Sequence, residues 1–78
     1  MPTVLRIKGY RFFFFSREPL EPSHIHVEED DKYAKYWLNP VSLASSFGFK
    51  AHELKQIGKI VEQNSPIFRR VWNEYFKQ

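Results

Sequence analysis

Cysteine is absent from the chain. Disulfides and cysteine-based metal motifs are therefore excluded, and the composition fits a reducing compartment. Glycine occurs only three times. No glycine-rich phosphate loop and no nucleophile elbow can be read. No run approaches the roughly 20 apolar residues needed to span a bilayer. Arg6, Lys8 and Arg11 interrupt the N-terminal apolar residues, which is not the pattern of a signal peptide, so a cytoplasmic protein is expected. There is no low-complexity tract and no internal repeat. At 78 residues the chain forms one domain, residues 1–78, with a small core and a narrow stability margin.

What the chain has in excess is aromatic surface: 18% of its residues, eight of them Phe. Large rings let a small core bury more area per residue. They also exceed what one thin sheet can hide, which points to a protein interface. The net charge of +3 is mildly basic and compatible with RNA.

Residues 3–8 alternate as a strand, with Leu5 and Ile7 on one face and Arg6 and Lys8 on the other. Gly9-Tyr10 reads as a turn. Residues 11–16 form a second strand carrying four consecutive phenylalanines, Phe12 and Phe14 facing one way and Phe13 and Phe15 the other. The pattern does not choose which pair faces the core. A loop follows over 17–23, broken by Pro19 and Pro22. Residues 24–29 and 32–38 read as two further strands around the acidic turn Glu28-Glu29-Asp30-Asp31.

At Asn39-Pro40 the period changes to helical, with Asn as N-cap and Pro at the first position. Leu43, Ala44 and Phe47 then stripe a short helix ended by Gly48. A second helix is expected over about 51–63, on Leu54, Ile57, Ile60 and Val61, weakened at Gly58 by about 1 kcal/mol relative to alanine. Gly58 there would admit the close approach of another element. Ser65-Pro66 repeats the start signal for a third helix striped by Phe68, Val71, Trp72, Tyr75 and Phe76. The expectation is an α+β fold: a four-stranded antiparallel meander over about 3–38, then two to three helices over about 40–77 packed on one face.

Chemistry concentrates at Glu21-Pro22-Ser23-His24-Ile25-His26-Val27. On a strand His24 and His26 project from one face, roughly 6.5–7 Å apart at Cα, while Ile25 and Val27 point into the core. Three readings follow. The pair could ligate a metal, but Glu28 on the same face is roughly 13 Å from His24, and no spacing brings His52 near. The pair could act as acid and base on a phosphate, with Arg6, Lys8, Arg11 and Lys35 supplying positive charge, as in metal-free RNA cleavage. Or the histidines sit at a solvent edge, hydrogen-bond the Pro-rich loop or the acids, and fix an interface. No cofactor is indicated.

The segments Met1-Pro2-Thr3-Val4-Leu5-Arg6-Ile7, Gly9-Tyr10-Arg11-Phe12-Phe13-Phe14, Glu21-Pro22-Ser23-His24-Ile25-His26-Val27, Ala34-Lys35-Tyr36-Trp37-Leu38-Asn39-Pro40-Val41 and Trp72-Asn73-Glu74-Tyr75-Phe76 resemble, over the whole chain, those of a family of short bacterial proteins, the domain of unknown function DUF4160. Family members commonly carry Ser at the position of Lys50, where it would complete a capping box with Glu53; Lys50 cannot. Genes of that family often adjoin those of domain-of-unknown-function family 2442. The resemblance implies a two-gene toxin–antitoxin module with this chain as its toxin-like half and the neighbouring product as its partner. RNA and a second copy of the chain are the other partners considered. His24 and His26 match the family motif and are the residues expected to carry any chemistry.

Overall fold

Period-two alternation over the first half of the chain becomes a single antiparallel meander in the computed structural model, which describes residues 3–15 and 21–76. Strands β1 (Thr3–Ile7), β2 (Tyr10–Phe13), β3 (His24–Glu29), β4 (Lys32–Leu38) and β5 (Val41–Phe47) lie in the sheet in chain order. One helix follows, α1 (Ala51–Tyr75). The α+β class and the antiparallel sheet agree with the expectation; the element count does not. Among the described residues there are five strands rather than four and one helix rather than two or three. Most of the loop expected around Pro19 lies outside the described residues.

The first correction concerns 40–47. Asn39-Pro40 is a two-residue turn with a cis peptide bond, not a helix start, and Val41–Phe47 pairs back along β4. Asn-Pro marks a turn as well as a helix N-terminus. What separates the two is tertiary: the apolar, open edge of β4 is available to pair seven more residues. The expected stripe of Leu43, Ala44 and Phe47 is accordingly exposed rather than packed. A bulge interrupts the ladder, with Ala44 the extra residue between Tyr36↔Leu43 and Lys35↔Ser45.

The second correction concerns Ser65-Pro66. Pro66 lies inside α1. A proline there removes one backbone bond and costs about 3 kcal/mol. The carbonyl it would leave open, that of Glu62, accepts the Ser65 hydroxyl at 3.1 Å. The helix continues because its buried stripe does: Ile57, Val61, Phe68 and Trp72 stay in phase and all pack on the sheet. At the N-terminus the Lys50 N–H donates to Glu53 Oε1 at 2.8 Å, the half of a capping box that a lysine permits.

One sheet face meets this helix. Tyr10, Phe12 and Phe14, then Ile25 and Val27, then Ala34, Tyr36 and Leu38, form the core with the helix stripe. Phe12 stacks on Phe68 at 5.5 Å between centroids. The core pair of the phenylalanine run is thus Phe12 and Phe14. Tyr10 belongs to β2 rather than to the turn, because its ring packs edge-on against Phe12 and Phe49. The turn is Lys8-Gly9, both left-handed (φ 52° and 83°), as a type I′ hairpin needs. Gly58 passes against Tyr36: a Cβ there would stand 3.6 Å from the ring. The Tyr36 hydroxyl donates to the Leu54 carbonyl at 2.6 Å, and burial pushes its pKa above the ordinary value. The close approach expected at Gly58 is the seat of this tyrosine.

Candidate functional site

The other sheet face carries the residues with chemistry. Register places Arg11 and Phe13 of β2, His24, His26 and Glu28 of β3, and Tyr33, Lys35 and Trp37 of β4 together on it. The strand period does bring the two histidines side by side: their ring centroids are 4.9 Å apart, edge to face.

They do not, however, lie at a solvent edge. His24 is fully buried and His26 is 2% exposed. His26 stacks between Phe13 (5.4 Å) and Tyr33 (5.7 Å), with Phe15 edge-on at 4.6 Å. Its Nδ1 shares a 2.7 Å hydrogen bond with the Tyr33 hydroxyl. His24 lies against Trp37 at 5.7 Å and Trp72 at 4.7 Å. A carbonyl can only accept, so the His24 Nδ1–H donates to the Pro22 carbonyl, 2.9 Å away. Trp72 also packs on Phe14, so the last turns of α1 close over the end of the sheet where His24 starts β3. The hydrogen bond to the Pro-rich loop agrees with the third reading of the pair; burial replaces its solvent edge. The pair is an aromatic box in which imidazole serves as a flat ring with one directed polar atom.

The four expected cationic contacts divide. Arg11 pairs with Glu28 at 3.0 Å and lies 4.3 Å over the Phe13 ring. Lys35 pairs with Glu21 at 2.6 Å and lies over Trp37. Both are therefore neutralised beside the box. Arg6 lies opposite Arg11 in β1 and is exposed. Lys8 sits in the β1–β2 turn and lines a different surface, with His52 of α1. Glu28 is held by Arg11, and among the described residues no group of three His, Asp or Glu is gathered as a metal site would require. His52 is on α1 beside Lys8, away from the His24 and His26 rings.

At the far end of the sheet Lys32 bridges the sheet and the helix, 3.2 Å from Glu53 and 3.6 Å from Glu29. The Lys50 N–H and then the Lys32 ammonium hold the Glu53 carboxyl below its ordinary range. The Glu53 hydrogen bond in turn raises the Lys32 pKa.

Two surfaces were missed in the sequence. One is the outer edge of β5, hidden by the helical reading of 41–47. The other is the face of α1 bearing Lys55 and Lys59 beside Lys8; its signal was present in the i, i+4 spacing of the two lysines. Among the described residues no helix is long and apolar enough to cross a membrane.

Comparison with protein families finds a match over residues 9–73 to the model described as "Domain of unknown function (DUF4160)". No curated protein and no solved structure matches the chain.

Proposed function

The chain belongs to the DUF4160 family, and on that premise we propose that it is an interaction protein whose β5 edge accepts a strand from a partner. In this reading it is the toxin-like half of a two-gene bacterial module, acts in the cytoplasm, and pairs with the family 2442 protein of the neighbouring gene. The observation that carries the reading is the β5 edge itself. Strand order leaves β5 with its outer backbone groups facing away from the sheet. Natural proteins guard such edges with charge, proline or bulges. Val41–Phe47 has neither charge nor proline, its one bulge is at Ala44, and it presents Leu43 at 44% and Phe47 at 70% exposure. An open, uncharged seven-residue edge with two apolar side chains is suited to strand addition, in which main-chain bonds supply affinity and side chains supply choice.

The alternative, RNA cleavage at His24 and His26, needs a phosphate to reach the imidazoles. Their enclosure by Phe13, Tyr33, Trp37 and Trp72 weighs against that approach. Arg11 and Lys35 are already paired with Glu28 and Glu21, which also weighs against phosphate binding there, and the enclosure of the rings weighs against a metal at the pair.

The test is complex formation between the purified chain and the neighbouring gene's product, measured by sedimentation and calorimetry. The expected result is a stable complex that Ser45→Lys together with Phe47→Lys abolishes, while the variant's thermal transition stays within a few degrees of wild type. Both positions are exposed on β5, so the variant should fold. Growth arrest on induction of the chain alone, relieved by the partner, would support the toxin-like role. A monomer indifferent to that partner would overturn the reading.

A further inference from the structure

Three lysines converge on an open depression of about 580 Å³ between α1 and the β1–β2 turn. Lys8 stands on the turn, and Lys55 and Lys59 stand on the helix facing it. His52, Gln56 and Gln63 complete the polar wall. Among the described residues none that lines it is acidic. The nearest acid along the helix face is Glu62, one turn from Lys59.

Three cations elsewhere are paired, Arg11 with Glu28, Lys32 with Glu29 and Glu53, and Lys35 with Glu21, while Arg6, Lys50, Arg69 and Arg70 are dispersed and have no ion pair among the described residues. Among the described residues Lys8, Lys55 and Lys59 have no ion pair. Three ammonium groups around one depression whose described lining holds no acid make a net positive patch, although Glu29 stands beside Gly9 at the turn, and an anionic ligand would complement it. The depression also has a direction. From His52 to Gln63 the helix rises about 16 Å, longer than a single phosphate, and Arg70 continues the same line about five turns beyond His52. A basic stripe along a helix, in a chain of pI near 9.3, is the electrostatic footprint of a nucleic acid.

We propose that this depression binds the sugar–phosphate backbone of a single nucleic-acid strand. The lysines on opposite walls would take successive phosphates, and the Gln56 and Gln63 amides would donate to phosphate or sugar oxygens. Among the described residues Ile60 is the only apolar one in the lining, which holds no aromatic ring on which bases could stack, so binding is independent of sequence. The site is separate from the β5 edge and does not depend on the function proposed for it.

The experiment is fluorescence anisotropy with a labelled twelve-nucleotide single strand, as RNA and as DNA, titrated across salt. Three phosphates neutralised on a single strand give a slope of log K against log salt of about −2, or roughly 20-fold weaker binding at 200 mM than at 50 mM salt. Lys55→Gln with Lys59→Gln should bring the slope to about −0.7, and Lys8→Asn, which suits the left-handed backbone at that position, to about −1.4. Arg6→Gln, on the opposite sheet face, should leave it unchanged. All four positions are exposed, and circular dichroism would verify that each variant is folded. Equal slopes for RNA and DNA place recognition on the phosphates, and a preference for RNA assigns part of it to the 2′-hydroxyl; either supports the site. An unchanged slope in the Lys55/Lys59 variant, no binding at 50 mM salt, tighter binding to a duplex, or tighter binding to poly-glutamate of equal charge would overturn it.

Discussion

Replacing His26 separates a chemical role from a packing role, provided the replacement is chosen by volume. The ring is 2% exposed, stacked on two aromatic rings and bonded to the Tyr33 hydroxyl at 2.7 Å. His26→Ala empties that box. Truncating a buried ring costs about 3 kcal/mol or more, and the same change at His24 costs a similar amount. A domain of this length has about 4–12 kcal/mol in all, from 0.05–0.15 kcal/mol per residue. The double alanine variant, of order 6 kcal/mol, therefore consumes much of the stability, and its inactivity would say nothing about catalysis. His26→Phe keeps the stacked ring and loses the bond to Tyr33, for about 1–2 kcal/mol with slight overpacking. By thermal denaturation, with about 4–8 °C per kcal/mol, His26→Ala should melt roughly 12–24 °C below wild type. His26→Phe should melt about 4–16 °C below it. Growth arrest would be measured in parallel at a temperature where the Phe variant is folded. Retained arrest in the Phe variant means the ring is structural. An Ala variant melting within about 3 °C of wild type would refute the packing argument itself, since a filled box cannot be emptied without cost. A folded but inert Phe variant would return the imidazole nitrogens to the mechanism.

Two further predictions follow from the packing around Tyr36 and Glu53. Gly58→Ala should raise stability by up to about 1 kcal/mol through helix propensity, because its Cβ meets the Tyr36 ring at an ordinary 3.6 Å; Gly58→Leu should lower it by about 1–3 kcal/mol by displacing that ring, and a destabilised Ala variant would refute the geometry. The pH profile of the melting temperature should fall on both sides. Glu53 has a folded pKa below its ordinary 4.5, so its contribution is complete above that value and is lost as pH falls through the folded one. Tyr36, Tyr10 and Lys32 have folded values above their ordinary 10.0, 10.0 and 10.5, so their contributions are complete below those values and are lost as pH rises through the folded ones. Glu53→Gln should flatten the acid limb and Tyr36→Phe should reduce the alkaline one; profiles unchanged by either substitution would remove these groups from the linkage.

Much of this was legible in residue order. The alternation at 24–29 and 32–38 placed both strands at their observed bounds, and it placed His24 beside His26. It could not say that the face bearing them would be covered, because the covering comes from rings of β2, its following residues and β4 and from Trp72, 48 positions from His24 in the chain. The cationic set was expected on the histidine face of the sheet: register puts Arg6, Arg11 and Lys35 there, with Arg11 and Lys35 taken up by carboxylates, and places Lys8 in the turn beside the helix.

By itself the sequence determined the class of fold, the β1–β2 and β3–β4 hairpins and the apolar stripe later carried by α1, since these depend on local period and turn chemistry. Only tertiary structure decided whether Asn39-Pro40 opens a helix or turns a strand, and whether Pro66 starts a helix or is carried inside one. Both dipeptides are locally ambiguous. The free edge of β4 resolved the first by offering main-chain partners. The continuous burial of Ile57, Val61, Phe68 and Trp72 resolved the second, because the apolar area it keeps against the sheet outweighs one lost backbone bond.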